Sequence, residues 1–342
     1  MDDQAPSHEE WLALYQAAND FKQLAPWEWM YDSDLFGVQN PETDEIGYCC
    51  VMGNLGEHFA LGVYLGTEGL EGYEKIAAGQ FEQPNISVLH YQKCLMASFE
   101  DREYIEKEDR DVIKQLGLKY RGRAAWPQFR SYEPDLFPWF LTAGQARFLT
   151  TALQQAIDVA KQYENDPTLL DPPEEGLYLV RVPVQSAAGL IWNDKWLAPK
   201  ELPARPRAIP EIDEPRLQRI KKSIKVRQGV WEGDFFLAPT PIQEVKGERP
   251  YYPYTMMWVD RSSRMVFPPE IASPSQYRAA WPNHFLSVIE QAQGMPREIH
   301  VSQQETYDLI EPIASSLSIK LKRNQRLSAL EDVRDSLMSF FT

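Results

Sequence analysis

Three cysteines in 342 residues are too few for a disulfide framework. No apolar run approaches the roughly eighteen residues that a membrane-spanning helix needs. The opening Met1-Asp-Asp-Gln has no basic segment leading into an apolar one, so the cytoplasm is the expected compartment and no membrane partner is expected. The local signatures of common chemistries are also missing. There is no G-x-S-x-G elbow, no phosphate-loop lysine, no G-x-G-x-x-G after a strand and no H-E-x-x-H. The five histidines, at 8, 58, 90, 284 and 300, are scattered and read as surface or packing residues, with His58 beside Glu57 at a strand start worth attention. Zinc ligands at usual spacings are therefore not expected.

What is abundant is apolar and aromatic side chain, at 43% and 12%, enough for two domains each with its own core. The net charge of −15 opposes approach to nucleic acid or to an anionic membrane. One strip runs the other way: residues 195–227 hold ten Lys or Arg against four acids, among them Arg219, Lys221, Lys222 and Lys225. These four form a candidate anion-binding face, or simply a solvated helix surface.

Apolar spacing gives Trp11, Leu14, Tyr15 and Ala18 one helical face before Pro26. Strands are predicted at 35–39, 46–52 and 59–65, then a helix at 69–76, a strand at 94–99, a helix at 102–116, a strand around Phe129, and a helix whose face is Leu149, Ala152, Leu153, Ala156, Ile157 and Ala160. Cys49 and Cys50, adjacent in a strand, should face opposite ways. Nine of the 26 prolines fall between 167 and 215, marking a connecting region that holds strand-like runs at 177–182 and 189–192. After it the order repeats: strands at 231–237, 254–259 and 265–267, a helix through Phe285, Val288 and Ile289 stopped by Gly294, a strand at 298–301, a helix kinked or shortened by Pro312, a strand at 319–321, and a last helix through Leu327, Leu330, Val333, Leu337 and Phe341. Asp34-Leu-Phe-Gly-Val-Gln-Asn-Pro41 is echoed 200 residues later by Asp234-Phe-Phe-Leu-Ala-Pro-Thr-Pro241, which reads as an internal repeat. The expected fold is thus α+β, two tandem modules of β-β-β-α-β-α-β-α order: 1–165 with a leading helix, a partly basic connection with a possible hairpin at 166–227, and 228–342.

A three-strand meander followed by α-β-α-β-α resembles the ribonuclease H-like fold. Residues 254–267 with Gly294-Met-Pro-Arg-Glu-Ile-His-Val301 are similar to the core of retroviral-type integrases and transposases. The tract Pro26-Trp-Glu-Trp-Met-Tyr-Asp-Ser-Asp-Leu-Phe-Gly, with Ile46-Gly-Tyr-Cys-Cys-Val-Met-Gly, resembles a family of uncharacterised bacterial proteins whose second module matches the half from Trp231 onward. The ribonuclease H-like resemblance implies carboxylates on the first strand, after the fourth and on the last helix, holding two Mg²⁺ or Mn²⁺ ions for phosphoryl transfer. The first module offers Asp34, Glu100, Asp101 and Asp158 as catalytic candidates. The second offers Asp234 with Asp332 or Asp335, but Ser302 stands where the fourth-strand acid belongs. With fifty acids in the chain, such matches also arise by chance.

Two further patterns resolve toward structure. The segment 32–43 has the first acids and the glycine of a calcium loop, yet Phe36 and Thr43 occupy ligand positions, so no metal site is expected. Gly66, Gly69 and Gly72 sit among Glu68, Glu71 and Glu74, which would repel a phosphate, so close packing explains them better. Trp27, Trp29 and Tyr31, with Trp231, Tyr252 and the nearby Tyr251 and Tyr254, either line a groove for a ligand or partner or cover the sheet ends. Trp126, Pro127, Pro138 and Trp139 suggest similar capping. The leading expectation is a non-catalytic protein that recognises a protein or small molecule without a cofactor. A metal-dependent nuclease using Mg²⁺ or Mn²⁺, and a nucleic-acid accessory factor using the basic strip, are the alternatives.

Overall fold

A computed structural model describes residues 4–79, 91–187, 189–203 and 210–338. His90, Phe341 and the stretch 204–209 of the basic strip lie outside them. The chain divides into one unit of Met1–Pro134 with Pro138–Pro203 and another of Asp135–Phe137 with Ala204–Thr342.

The first unit opens with α1 (His8–Leu24), started by a capping box in which Ser7 and Glu10 each satisfy the other's backbone N–H. It ends at Ala25, which turns left-handed ahead of Pro26. β1 (Phe36–Gln39), β2 (Ile46–Met52), β3 (Ala60–Leu65), α2 (Gly66–Ala77), β4 (Cys94–Glu100), α3 (Lys107–Gln115), β5 (Trp126–Tyr132) and α4 (Ala143–Asn165) follow in the expected order. Two further strands, β6 (Tyr178–Ser186) and β7 (Gly189–Leu197), form a hairpin, so the proline-rich region contributes to this sheet. The sheet order is β5-β4-β3-β2-β1-β6-β7, with β6 parallel to β1 and every other pair antiparallel.

Strand alternation divides the side chains between two faces. Cys49, Val51, Leu61 and Val63 face α1 and α4, where Leu14, Phe21, Leu149 and Leu153 complete the core. Cys50, Tyr48, Tyr64 and Cys94 point the other way with Leu70 of α2. The two adjacent cysteines thus lie on opposite faces, and burial pushes both thiols upward in pKa. Gly69 and Gly72 let α2 approach the backbone: a Cβ on Gly69 would meet the Lys93 carbonyl at 2.7 Å, and one on Gly72 would overlap the Tyr91 carbonyl. Gly72→Ala should therefore cost about 1–3 kcal/mol by overpacking. Urea unfolding would show it as a lower midpoint at unchanged slope.

The second unit consists of α5 (Glu214–Ser223), β8 (Val230–Leu237), β9 (Tyr254–Asp260), β10 (Glu270–Ala272), α6 (Tyr277–Ala292), β11 (Glu298–Val301), α7 (Gln304–Ser316), β12 (Lys320–Arg323) and α8 (Ser328–Met338). Its sheet order is β10-β9-β8-β11-β12, in which β8, β9 and β10 form an antiparallel meander and β11 and β12 continue in parallel. This is the mixed sheet of the ribonuclease H-like reading.

Three local expectations are corrected. The third strand is not at 265–267 but at β10, because Pro268 and Pro269 lack the N–H groups a ladder needs and interrupt the pairing after a single Val259–Val266 bridge. The stop of α6 is Gln293 in a left-handed conformation, one residue before Gly294. α7 runs through Pro312 to Ser316.

The larger correction concerns the repeat. Up to α4 and α8 the two units share one element order, but β4 and β5 extend the first meander, whereas β11 and β12 add on the far side of β8, and the β6–β7 hairpin has no counterpart in the second unit. The echoed aspartates are not equivalent either: Asp34 precedes β1, while Asp234 lies inside β8. The resemblance of 34–41 to 234–241 is one of letters and not of structural position.

Candidate functional site

β8 is the central strand of the second sheet, and its alternate residues do different work. Trp231 and Phe235 pack on Phe285 and on Tyr277 and Trp281 of α6. Gly233, between them, leaves the space that the Trp258 ring fills. Glu232 and Asp234 point to the opposite face, two carboxylates in register on a buried strand.

Each carboxylate serves the start of a helix. Glu232 accepts the N–H groups of Ala329 (2.7 Å) and Leu330 (3.2 Å) in the first turn of α8, with Arg261 at 3.3 Å. Asp234 accepts the Ser302 N–H at 3.1 Å and the Ser302 hydroxyl on one oxygen, and on the other the Thr306 hydroxyl and the Phe235 N–H at 3.1 Å. Helix starts expose unpaired N–H groups and partial positive charge, which is why an acid can be buried there. Asp234 is 4% exposed. Burial pushes its carboxyl above the ordinary aspartate value, opposed by hydrogen bonds from Ser302, Thr306 and Phe235 that favour the charge.

In a two-metal phosphoryl-transfer centre the first-strand carboxylate keeps lone pairs for the ions, and acids from two other elements face it. Here four donors occupy Asp234. Ser302, just past β11, meets it where a second acid would stand. Asp332 and Asp335 of α8 are exposed and pair with Arg264 (3.1 Å) and Arg334 (3.8 Å).

The first-unit acids are placed separately. Asp34 accepts the Tyr31 N–H at 2.8 Å and lies beside the Tyr163 hydroxyl. Glu100, at the end of β4, is 3.9 Å from His58. Asp101 accepts the Ala124 N–H at 2.7 Å, and Asp158 is exposed on α4. Among the described residues, no three His, Cys, Asp or Glu side chains come together to hold a metal ion.

The aromatic groove is a correction, because its rings are spent on packing. Trp27 is 8% exposed among Phe21, Phe59 and Phe99. Trp29 donates its indole N–H to the Ala160 carbonyl at 3.1 Å, and only Tyr31 of that tract is open, at 55%. Trp231, 4% exposed, packs on Phe267, and Tyr252 is buried. An indole is too large to leave out of a core of this size.

Arg219, Lys221, Lys222 and Lys225 of the basic strip are all exposed. Leu217 and Ile220 anchor α5, Arg216 turns inward to Glu290 at 2.7 Å, and Arg219, Lys221 and Lys222 are left to solvent. Lys225 folds back on the Lys221 carbonyl at 2.8 Å.

Two constellations escaped the sequence reading. On β11, His300 contacts Glu298 at 2.6 Å and Asn324 at 2.8 Å, and Lys322 reaches Glu298 at 2.5 Å. Lys322 and His300 hold the Glu298 carboxyl down to about 2. The i, i+2 spacing of Glu298 and His300 was visible in the sequence. In the first unit, Asp101, Arg102, Glu103, Arg110, Gly122 and Arg123 line a cleft of about 530 Å³. They come from three separate elements, and no local spacing signals them.

Fold and site define a two-unit α+β protein whose second unit keeps the ribonuclease H-like sheet with its first-strand aspartate closed off by hydroxyls. The chain belongs to the family described as a domain of unknown function, DUF7309, which matches residues 11–181, half of its length. A second domain of unknown function, DUF6930, matches residues 216–338. No curated protein matches the chain. Among solved structures, the HTLV-2 integrase catalytic core domain in complex with magnesium (trimeric form) is similar at 18% identity and a TM-score of 0.25, over 32% of this chain and 66% of that one. The Mos1 strand transfer complex is similar at 11% identity and a TM-score of 0.21, over 75% of this chain and 66% of that one. The chain thus spans just under two thirds of the length of either. The fold assignment rests on strand order and direction rather than on these likenesses.

Proposed function

We propose that this protein acts in the cytoplasm by recognising a protein or small molecule, not by catalysis. One observation carries the reading: the carboxylate of Asp234 is used up by Ser302, Thr306 and Phe235. An acid held this way braces the start of α7 and has no lone pair left for a divalent ion. In this reading the ribonuclease H-like unit is a scaffold from which the phosphoryl-transfer chemistry is gone.

Thermal unfolding with Mg²⁺ or Mn²⁺ tests it. An ion bound only by the folded state at a hundred times its dissociation constant would stabilise by about 2.7 kcal/mol, a shift of several degrees. We expect no shift at millimolar metal and no cleavage of a labelled oligonucleotide. Metal-dependent cleavage abolished by Asp34→Asn or Asp101→Asn would replace recognition with the nuclease reading.

The open face of α5 favours one second reading, an accessory contact to nucleic acid through Arg219, Lys221, Lys222 and Lys225. Such binding would weaken steeply with salt. Affinity unchanged by neutralising all four would remove it.

A further inference from the structure

We propose that the first unit binds a small dianion, of the phosphate-monoester kind and bearing hydroxyl groups, in the cleft walled by Arg102, Arg110 and Arg123. The proposal narrows the recognition reading and rests on it. The cleft is open to solvent, with about 530 Å³ of space between these side chains, so charge and hydrogen bonds rather than enclosure would hold the ligand.

The guanidinium groups are nearly unspent. Among the described residues Arg102 makes no side-chain hydrogen bond or ion pair. Arg110 gives one N–H to the Ile105 carbonyl and has no other side-chain partner among those residues. Arg123 stands 3.9 Å from Asp101, too far for a hydrogen bond, and is 96% exposed at its side chain. Three planar donors around one hollow suit an oxyanion with several acceptor oxygens. Against Asp101 and Glu103 the three arginines leave the lining with a small positive excess, in a chain whose net charge is −15.

The rim is built rather than loose. Ala124 is left-handed at φ 45°, a conformation that an alanine seldom adopts, and it follows Gly122 at φ +104°. Both backbone polar atoms of Ala124 are tied down: its N–H to Asp101 at 2.7 Å, its carbonyl to the Lys22 ammonium. Asp101 is therefore engaged in holding the loop that carries Arg123. Glu103, the other acid of the wall, is exposed and offers acceptors to a ligand hydroxyl. This is why the proposed ligand is a hydroxylated ester and not bare phosphate.

Isothermal titration with glycerol 3-phosphate and with inorganic phosphate, on the full chain, is the test. Saturable binding is expected, tighter for the ester. Arg102→Ala with Arg123→Ala, both exposed and so not needed for folding, should weaken it at least tenfold. Lys161→Ala, an exposed cation on α4, should leave it unchanged. No saturable binding of either probe would overturn the proposal, as would undiminished affinity in the arginine double variant. Equal affinity for the two probes would overturn the part given to Glu103. Hydrolysis of the ester would count against recognition itself, whereas absent binding would remove only the cleft.

Discussion

Asp234→Ala is expected to destabilise the second unit by about 2–4 kcal/mol. The change leaves the Ser302 N–H and the hydroxyls of Ser302 and Thr306 without their acceptor. Unpaired buried groups cost roughly 1–3 kcal/mol each, partly offset because a desolvated charge is also removed. Urea unfolding would give the magnitude, and amide exchange in the first turn of α7 should rise most. A wild-type-like variant would mean that Asp234 does not brace α7, and the argument for recognition would lose its support.

The pH dependence has a definite sign. The Asp234 carboxyl is raised in the folded state, so the folded chain holds this proton more tightly than the unfolded one. Below the unfolded value near 4 both states are protonated, and the contribution to stability is fully present. It falls as pH rises from there through the folded pKa, since the unfolded state releases the proton first. Asp234→Asn removes this dependence. Stability of the native protein minus that of the variant should therefore decline as pH rises above about 4. Using the difference cancels other carboxylates such as Glu298, whose lowered pKa acts in the opposite sense.

Arg130→Met should have the largest effect in the first unit, about 3–5 kcal/mol. Arg130 on β5 makes paired hydrogen bonds to Asp109 on α3 at 2.9 and 2.7 Å and a third to Glu106 at 3.0 Å, with its guanidinium over the Phe140 ring at 4.6 Å. Asp109 also accepts the Glu106 N–H and so closes the first turn of α3. That helix buries little apolar surface beyond Ile113, which leaves the ion pair as its main tie to the sheet. Removing the arginine strands a buried carboxylate. Combining Arg130→Met with Asp109→Leu should recover most of the loss, because the pair is then replaced rather than broken. A double variant no better than the single one would show that the salt bridge is not what holds α3. Loosening α3 should also weaken anion binding, since Arg110 rides on it.

Much of the fold was legible because its signals are local. The face of α4 was readable from Leu149 through Ala160, and Cys49 and Cys50 had to diverge because strand residues alternate. β10 was missed because 265–267 looks like a strand by composition, while Pro268 and Pro269 delay the pairing. β6 was half hidden by its proline. Pro183 lies beyond Val180 and Arg181, the residues of the β1 register, so no bond to β1 needs its missing N–H.

The candidate site was legible only in part. Ser302 could be recognised as standing where an acid was required, but not that its hydroxyl would close on Asp234. The indoles of Trp27 and Trp231 suggested a groove by their density, and they are buried because density of that kind is what a core consumes. Arg102, Arg110 and Arg123 carry no shared motif.

The residues alone determined the α+β class, the two-module division and the succession of helices and strands, because periodicity, caps and turn residues act over a few positions. Tertiary structure decided how strands add to each sheet and which acids meet which partners. Those outcomes depend on pairing between distant segments, whose register no short window contains. Asp34 and Asp234 show the difference: the same short motif surrounds both, yet one lies ahead of its strand and the other is buried within it.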